Sequence, residues 1–278
     1  MTTVGIATGA GRGMGRACGA RLAGMVDHLV LVDLDRVAVT EAAQELSGAG
    51  CRADVEPFEL DVTDRAGLDR LAARVADAGS LRAVAHAAGI SPTMADWKRV
   101  FTVDLVGTAM LAEVLRPLVT AGTAMVCFAS MAAWFLGDDT DPAADAVLDD
   151  PLDERLVDRL REVLGPVIED SGIAYAWAKR AVQRFVRQEA VRVGPLGGRV
   201  CSVSPGIIDT PQGRQEAAQQ PFMQELVQRT PLARFGGADE VAAVVAFMLS
   251  YDAGFLTGVD VLVDGGVCAA VLGSQRDS

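Results

Sequence analysis

Short apolar runs, separated by helix-length amphipathic stretches, recur along most of the chain. Residues 4–8 (VGIAT), 28–33 (HLVLVD), 55–61 (VEPFELD), 81–89 (LRAVAHAAG), 124–130 (AMVCFAS), 199–205 (RVCSVSP) and 259–266 (VDVLVDGG) are rich in Val, Leu and Ala. Glycine, aspartate or serine bounds most of them. Runs of this length and composition predict strands buried on both faces, the habit of a parallel sheet between two helical layers. Apolar spacing between them predicts helices over 14–25, 36–46, 64–76 (with Asp64 as N-cap), 96–118 and about 174–193. Strands alternating with helices in this way predict an α/β fold: one domain spanning 1–278, built on a doubly wound parallel sheet of about seven strands. No internal repeat and no second domain is visible.

One segment breaks the rhythm. Residues 137–160, GDDTDPAADAVLDDPLDERLVDRL, hold nine acids and two arginines, a net −7 in a chain of net −12. The first half reads as loop or a short helical turn. Asp150 then looks like an N-cap, with Pro151 at the first helical position and Asp153 in the first turn. Leu152, Leu156, Leu160, Val163, Leu164 and Val167 follow at helical spacing, and Gly165-Pro166 would stop or bend the helix. A helical insertion over 138–168 is expected, apolar face down and acidic face in water.

Composition narrows the function. A chain of 278 residues, half of them hydrophobic, can bury a large core. Net charge −12 and a pI near 4.6 argue against nucleic acid as a partner, because phosphate binding needs a basic face. No apolar run reaches the 18 or more residues of a membrane span. Met1-Thr2-Thr3 leads straight into VGIAT, which leaves no room for a signal peptide and suggests a cytoplasmic protein. The five cysteines are scattered and read as reduced core residues, and two histidines make a metal site improbable.

The chemistry begins at residues 8–17, TGAGRGMGRA, directly after the first strand. Gly9 permits a tight turn, Gly13 lets backbone approach a pyrophosphate, and Gly15 lets helix and strand pack closely. Free N–H groups of the helix start then face the anion. Eighteen residues after Gly15, Asp33 ends the second strand. A carboxylate there accepts from ribose hydroxyls and repels a 2′-phosphate, favouring NAD over NADP. Asp61 could accept from an adenine amino group. Tyr175 and Lys179 in YAWAK are four apart, hence on one helix face. A nearby ammonium favours phenolate, which would bring the tyrosine into range for proton transfer at neutral pH. Ser130 ends the fifth strand, where a serine could also simply satisfy backbone groups.

Taken together, TGAGRGMG, LDV (60–62), AAG (87–89), Ser130, YAWAK and PGIIDTP (205–211) resemble the short-chain dehydrogenase/reductase family, in the family's order and over nearly the whole chain. The glycine spacing resembles its compact branch. The long Ser130–Tyr175 interval and the tail after DGG resemble bacterial 3α-hydroxysteroid dehydrogenase/carbonyl reductase members. The resemblance implies a Rossmann-type fold and an NAD-dependent oxidoreductase in which Tyr175 is the acid/base, Ser130 holds the substrate oxygen and Lys179 binds the nicotinamide ribose. It places the cofactor against Gly9, Arg12, Gly13, Met14, Gly15, Asp33, Leu34, Asp61, Val62, Ala87, Ala88, Gly89, Val103, Tyr175, Lys179, Pro205, Gly206, Ile208 and Thr210. It also implies a homo-oligomer, dimer or tetramer.

Two departures stand out. HAAG replaces the usual Asn-Asn-Ala-Gly, and His86 in it reads as sheet packing. Asp104 stands where the family has a catalytic asparagine, whose main-chain carbonyl holds a water leading to the lysine. An extra carboxylate near Lys179 would raise the tyrosine pKa and move the pH optimum upward. Candidate substrate-pocket residues are Ser91 and Met94 after the fourth strand and Met131, Trp134 and Phe135 after the fifth. Phe222, Met223 and Leu226 belong to a lid-like segment over 212–229. Trp177 should point away from the reacting face. Such a pocket suits a hydrophobic secondary alcohol or ketone, steroid- or terpenoid-like. An NADP-linked carbonyl reductase and a non-catalytic dinucleotide sensor are the alternatives.

Overall fold

The computed structural model describes residues 1–137, 141–219 and 222–276. In chain order its main elements are β1 (Thr3–Thr8), α1 (Gly13–Leu22), β2 (His28–Asp33), α2 (Arg36–Gly48), β3 (Asp54–Glu59), α3 (Arg65–Ala78) and β4 (Ser80–His86). Then come α4 (Trp97–Phe101), α5 (Gly107–Leu115), β5 (Ala124–Phe128), α6 (Pro142–Leu148), α7 (Leu156–Leu164), α8 (Ser171–Val193) and β6 (Arg199–Pro205). The chain continues through β7 (Ile208–Asp209), α9 (Pro211–Gln219), α10 (Phe222–Arg229), β8 (Gly236–Gly237), α11 (Ala238–Leu249), β9 (Asp260–Val263) and α12 (Val267–Arg276).

Seven of these strands form one parallel sheet in the order β3-β2-β1-β4-β5-β6-β9, a Rossmann-like α/β fold. Its two-sided burial is visible residue by residue. Leu29 and Leu31 of β2 point into a cluster with Cys18 and Leu22 of α1 and with α11, whereas Val30 and Val32 face Leu68, Leu71 and Val75 of α3 and Leu111 of α5. The strand order reverses between β1 and β4, so the loops after these strands diverge and leave a crevice at their C-terminal ends.

The predicted helix over 96–118 is interrupted. A π-helical turn, Thr102–Val106, joins α4 to α5, with the Gly107 N–H donating to the Thr102 carbonyl five residues back. Asp104 sits in this turn and is buried. The extra residue rotates the following turn, a device that often marks functional positions and that apolar periodicity cannot reveal.

The insertion is helical but built differently from expectation. Residues 138–140 lie outside the described residues. Asp141, not Asp150, is the N-cap, accepting from the Ala143 N–H at 2.8 Å, and Pro142 rather than Pro151 takes the first helical position of α6. α7 begins only at Leu156, after a turn in which Asp153 accepts from the Arg155 N–H. Both Asp-Pro pairs carry the same local signal, and the helix forms at the one whose Ala144, Val147 and Leu148 find a surface to bury against. With Leu156, Leu160 and Ile168 they pack on Trp97, Val100 and Phe101 of α4 and Ala174, Trp177 and Ala178 of α8. Leu152 and Val167, expected in the stripe, are exposed. Nor does the acidic face lie wholly in water: Asp145 meets Arg180 and Arg184 at 3.3 and 3.0 Å, and Asp149 meets Arg184 at 2.8 Å.

Candidate active site

The site collects at the C-terminal ends of β1, β4, β5 and β6. Gly9 and Gly13 both have positive φ, +64° and +56°, where a side chain would be strained. At Gly15 a Cβ would stand 2.2 Å from the Gly9 carbonyl oxygen, so only glycine lets α1 start this close to the loop. No side chain caps α1, which leaves its first N–H groups available to an anion. Asp33 accepts from the Gly11 N–H and the Asp35 N–H, each at 2.9 Å, and is thereby fixed beside the loop. Arg12 is paired with Asp35 at 2.6 Å, and Arg36 stands 3.9 Å from Glu59. Leu34 is exposed next to Asp33. Partial burial raises the Asp61 pKa, but hydrogen bonds from Thr63 and Arg99 outweigh burial and hold it below the usual carboxylate range. Val62 and Val103 are buried behind it, and Ala87, Ala88 and Gly89 follow β4. These residues form a cradle that added side chains would fill, and they fit a dinucleotide.

α8 starts at Ser171, capped by Asp170, which accepts from the Gly172 and Ile173 N–H groups. One turn in, Tyr175 and Lys179 share a face. The Lys179 Nζ lies 5.4 Å from the Tyr175 ring centre, donates to the Phe128 carbonyl at 3.1 Å and stands 3.4 Å from Asp104 Oδ2. Ser130, at the end of β5, stands near enough to the Tyr175 hydroxyl to lower its pKa and also accepts from the Ala132 N–H at 3.2 Å. Catalytic geometry and strand-end capping therefore coexist in one serine.

Asp104 is held from two sides. Its Oδ1 accepts from the Ile90 N–H at 2.8 Å, and its Oδ2, without a hydrogen-bond partner among the described residues, faces Lys179. Burial pushes the Asp104 carboxyl up, against the pull of Lys179 and the Ile90 N–H. Its main-chain carbonyl accepts from Thr108 Oγ1 at 2.7 Å. The expected depression of the Tyr175 phenol by Lys179 is overridden here. Burial raises its pKa above the ordinary value, the carboxylates of Asp104 and Glu216 push the same way, and only the Ser130 hydrogen bond opposes them. His86 is a packing residue, as expected. Its Nδ1 lies 2.8 Å from Thr8 Oγ1 and its Nε2 3.0 Å from Thr108 Oγ1, and burial followed by Lys179 lowers its pKa to about 3.

In front of Tyr175 opens a cavity of about 710 Å³. Met14, Ser130, Pro205, Gly206, Ile208 and Thr210 line its inner end, and Met131, Phe135, Phe222, Met223 and Leu226 line its apolar side. Three expected pocket residues stand elsewhere. Met94 is exposed and its sulfur accepts from the Ser91 N–H, while Trp134 turns outward to donate to Asp260. Ser91 is fully buried behind the wall. The lid-like segment is two helices, α9 and α10; residues 220 and 221 lie outside the described residues. Several lining residues escaped sequence reasoning, among them Asp170, Ser171 and Ile173 at the start of α8 and, closest to the chemistry by its charge on Tyr175, Glu216 of α9. For Glu216 the only hint was spacing, since Gln212, Gly213 and Glu216 share a helix face after Thr210.

Comparison with known proteins agrees with this arrangement. A family model described as enoyl-(acyl carrier protein) reductase matches residues 9–144 and 164–268, breaking off across α7. A short-chain dehydrogenase/reductase of Alternaria brassicicola is 30% identical, with 94% of each chain covered. Levodione reductase of Leifsonia aquatica is 28% identical, over 95% of this chain and 93% of its own. The crystal structure of a short-chain dehydrogenase/reductase from Brucella melitensis, titled glucose/ribitol dehydrogenase, superposes with a TM-score of 0.74 at 27% identity, covering 96% of both chains. The chain belongs to the short-chain dehydrogenase/reductase family. It is an oxidoreductase acting on CH–OH groups of alcohols, or on the corresponding ketones, with a nicotinamide dinucleotide as redox partner.

Proposed function

We propose that this enzyme interconverts a hydrophobic secondary alcohol and its ketone with NAD, using Tyr175 as acid/base. The observation that carries the reading is that Ser130 and Tyr175 line one cavity beside the glycine loop, with Lys179 buried one turn after Tyr175 on the same helix face. When bound, the nicotinamide supplies the site that gives or takes the hydride. Tyr175 donates its hydroxyl proton to the carbonyl oxygen during reduction and takes the alcohol proton during oxidation. Ser130 donates to that oxygen and orients it, stabilising the charge that develops there. Lys179 binds the ribose hydroxyls and holds Tyr175 in place from one turn away. Asp104 holds Lys179 from behind. Thr210 and the backbone at Ile208 anchor the carboxamide, and Asp61 takes the adenine amino group.

The preference for NAD rests on Asp33. Its carboxylate stands at the end of β2 with negative charge turned toward the ribose side, and Arg12 next to it is already engaged by Asp35. A 2′-phosphate would meet repulsion without a free guanidinium to offset it. The apolar lining supports a steroid- or terpenoid-like substrate, and the long Ser130–Tyr175 interval supports a likeness to bacterial 3α-hydroxysteroid dehydrogenase/carbonyl reductase members. We read the chain as one domain with 138–168 inserted, acting in the cytoplasm as a homo-oligomer. The free cysteines, most of them buried among the described residues, suit a reducing compartment.

A panel of hydrophobic secondary alcohols, with NAD and NADP in parallel and the reduced cofactor followed by absorbance, tests the reading. Turnover with NAD is expected, together with much weaker affinity for NADP. Intact NAD binding without turnover of any alcohol would instead favour a dinucleotide-sensing protein.

A further inference from the structure

The cavity in front of Tyr175 carries few polar side chains outside the reacting centre. Asp170 and Ser171 of the α8 start and Gln212 and Glu216 of α9 stand there; Asp170 is engaged as the cap of α8, whereas Glu216 brings a carboxylate to a wall shared with Met131, Phe135, Met223 and Leu226. Burial raises the Glu216 pKa, and the nearby Ser91 hydroxyl, whose Oγ lies 2.9 Å from Thr93 Oγ1, pulls it down. Ser91 is fully buried and thus fixed after β4. Glu216 also feels Lys179 and Asp104 through space, and its charge acts on Tyr175. It therefore stands in the same cavity as the reacting oxygen.

A carboxylate on an apolar wall is costly unless a donor meets it. One hydroxyl from Ser91 leaves most of its acceptor capacity unused, since a carboxylate has about four lone-pair sites. The other polar residues of α9 give no reason for an acid here: Arg214 and Gln215 are exposed, Gln212 is an uncharged neighbour on the same cavity face, and the helix start is capped by Thr210, which accepts from the Gly213 N–H.

Resting on the alcohol/ketone reading above, we propose that Glu216, backed by Ser91, is a specificity-determining residue. It binds a second hydrogen-bond donor on the substrate, a hydroxyl or a protonated amine set apart from the reacting carbinol. The same charge turns away substrates that carry a carboxylate there. The substrate class is thus a ring-type secondary alcohol or ketone with a second hydroxyl or amine, rather than a plain hydrocarbon alcohol.

The test compares regioisomeric cyclohexanediols and aminocyclohexanols, each against the methylcyclohexanol of the same substitution, and includes the hydroxycyclohexanecarboxylates. Two readouts are taken at neutral pH: kcat/KM with NAD, and Kd for each probe on the enzyme saturated with NADH. For at least one isomer the wild type should prefer the donor-bearing probe by about 10- to 100-fold, the range of a hydrogen bond to a charged group. Glu216→Gln should lose the preference for the ammonium, keep part of that for the hydroxyl and bind the carboxylates better. Glu216→Leu should lose both preferences. NADH affinity and Tm, measured alongside, show whether each variant still folds and loads. Equal donor-to-methyl ratios in wild type and variants, in both readouts, would overturn the proposal. A Glu216-dependent preference in binding with no turnover of any probe would uphold it while removing the alcohol/ketone reading. Turnover without such a preference does the reverse.

Discussion

Two groups of acids in this molecule behave in opposite ways. The insertion carries nine acids in 24 residues; among those whose arginine partners are seen, Asp153 meets Arg159, and Asp145 and Asp149 meet Arg180 and Arg184 at the partly exposed outer edge of α8. At the reacting centre, Asp104 behind Lys179 and Glu216 on the cavity wall both act on Tyr175. Water and arginines screen the first group, so its charge has little reach. Burial leaves the second group unscreened, and two carboxylates change the proton affinity of the one phenol that matters. Where a charge sits decides its consequence more than how many there are.

Substitutions that separate chemistry from packing can break this comparison, and the largest effect belongs to the cavity. Tyr175→Phe removes the proton donor and should lower kcat by about 10²–10⁴-fold while NAD affinity is retained; kcat within a few-fold of wild type would remove Tyr175 from the chemistry. In the insertion the largest effect should come from apolar packing. Leu160 is fully buried between α7 and the α4–α8 surface, and Leu160→Ala should cost about 2–5 kcal/mol in urea unfolding. A change below 1 kcal/mol would mean that the insertion is not part of the core.

Asp104→Asn sharpens the contrast between the acid groups. Removing a negative charge that raises the Tyr175 pKa makes deprotonation easier, so the rise of alcohol oxidation with pH should move to lower pH. Superimposable pH–rate profiles of wild type and variant would show that the buried carboxylate has no hold on the phenol. The smallest effect is expected at Asp149→Asn, which removes a partly exposed ion pair with Arg184. Its cost should stay below about 1 kcal/mol and fade as salt rises, with kcat/KM unchanged. A loss that persists in high salt would place this pair among the buried ones.

Much of the site was legible before folding because its signals are local. Gly9, Gly13 and Gly15 answer to backbone geometry within a single turn. Tyr175 and Lys179 answer to the helix repeat, and strand ends to bounded apolar runs. The π-helical turn at Asp104 was not legible, because the residues around it have ordinary helical periodicity and only the packing of α4 against α8 shows the offset. Glu216 was hidden in a polar helix, PQGRQEAAQ, whose composition reads as solvent-facing. Met94 and Trp134 were misplaced for the converse reason: proximity to a strand end says nothing of which way a side chain turns, and each found a partner outside the cavity.

By itself, then, the sequence determined the alternation of strands and helices, the dinucleotide loop and the Tyr175–Lys179 pair, all set by contacts a few residues apart. Tertiary structure alone decided which Asp-Pro pair starts a helix in the insertion, that Asp104 faces Lys179, and that Glu216 shares a cavity with Tyr175. Those outcomes depend on burial and on charges brought together from distant parts of the chain. Electrostatic strength grows as water is excluded, and which groups lose their water is settled only when the helices pack.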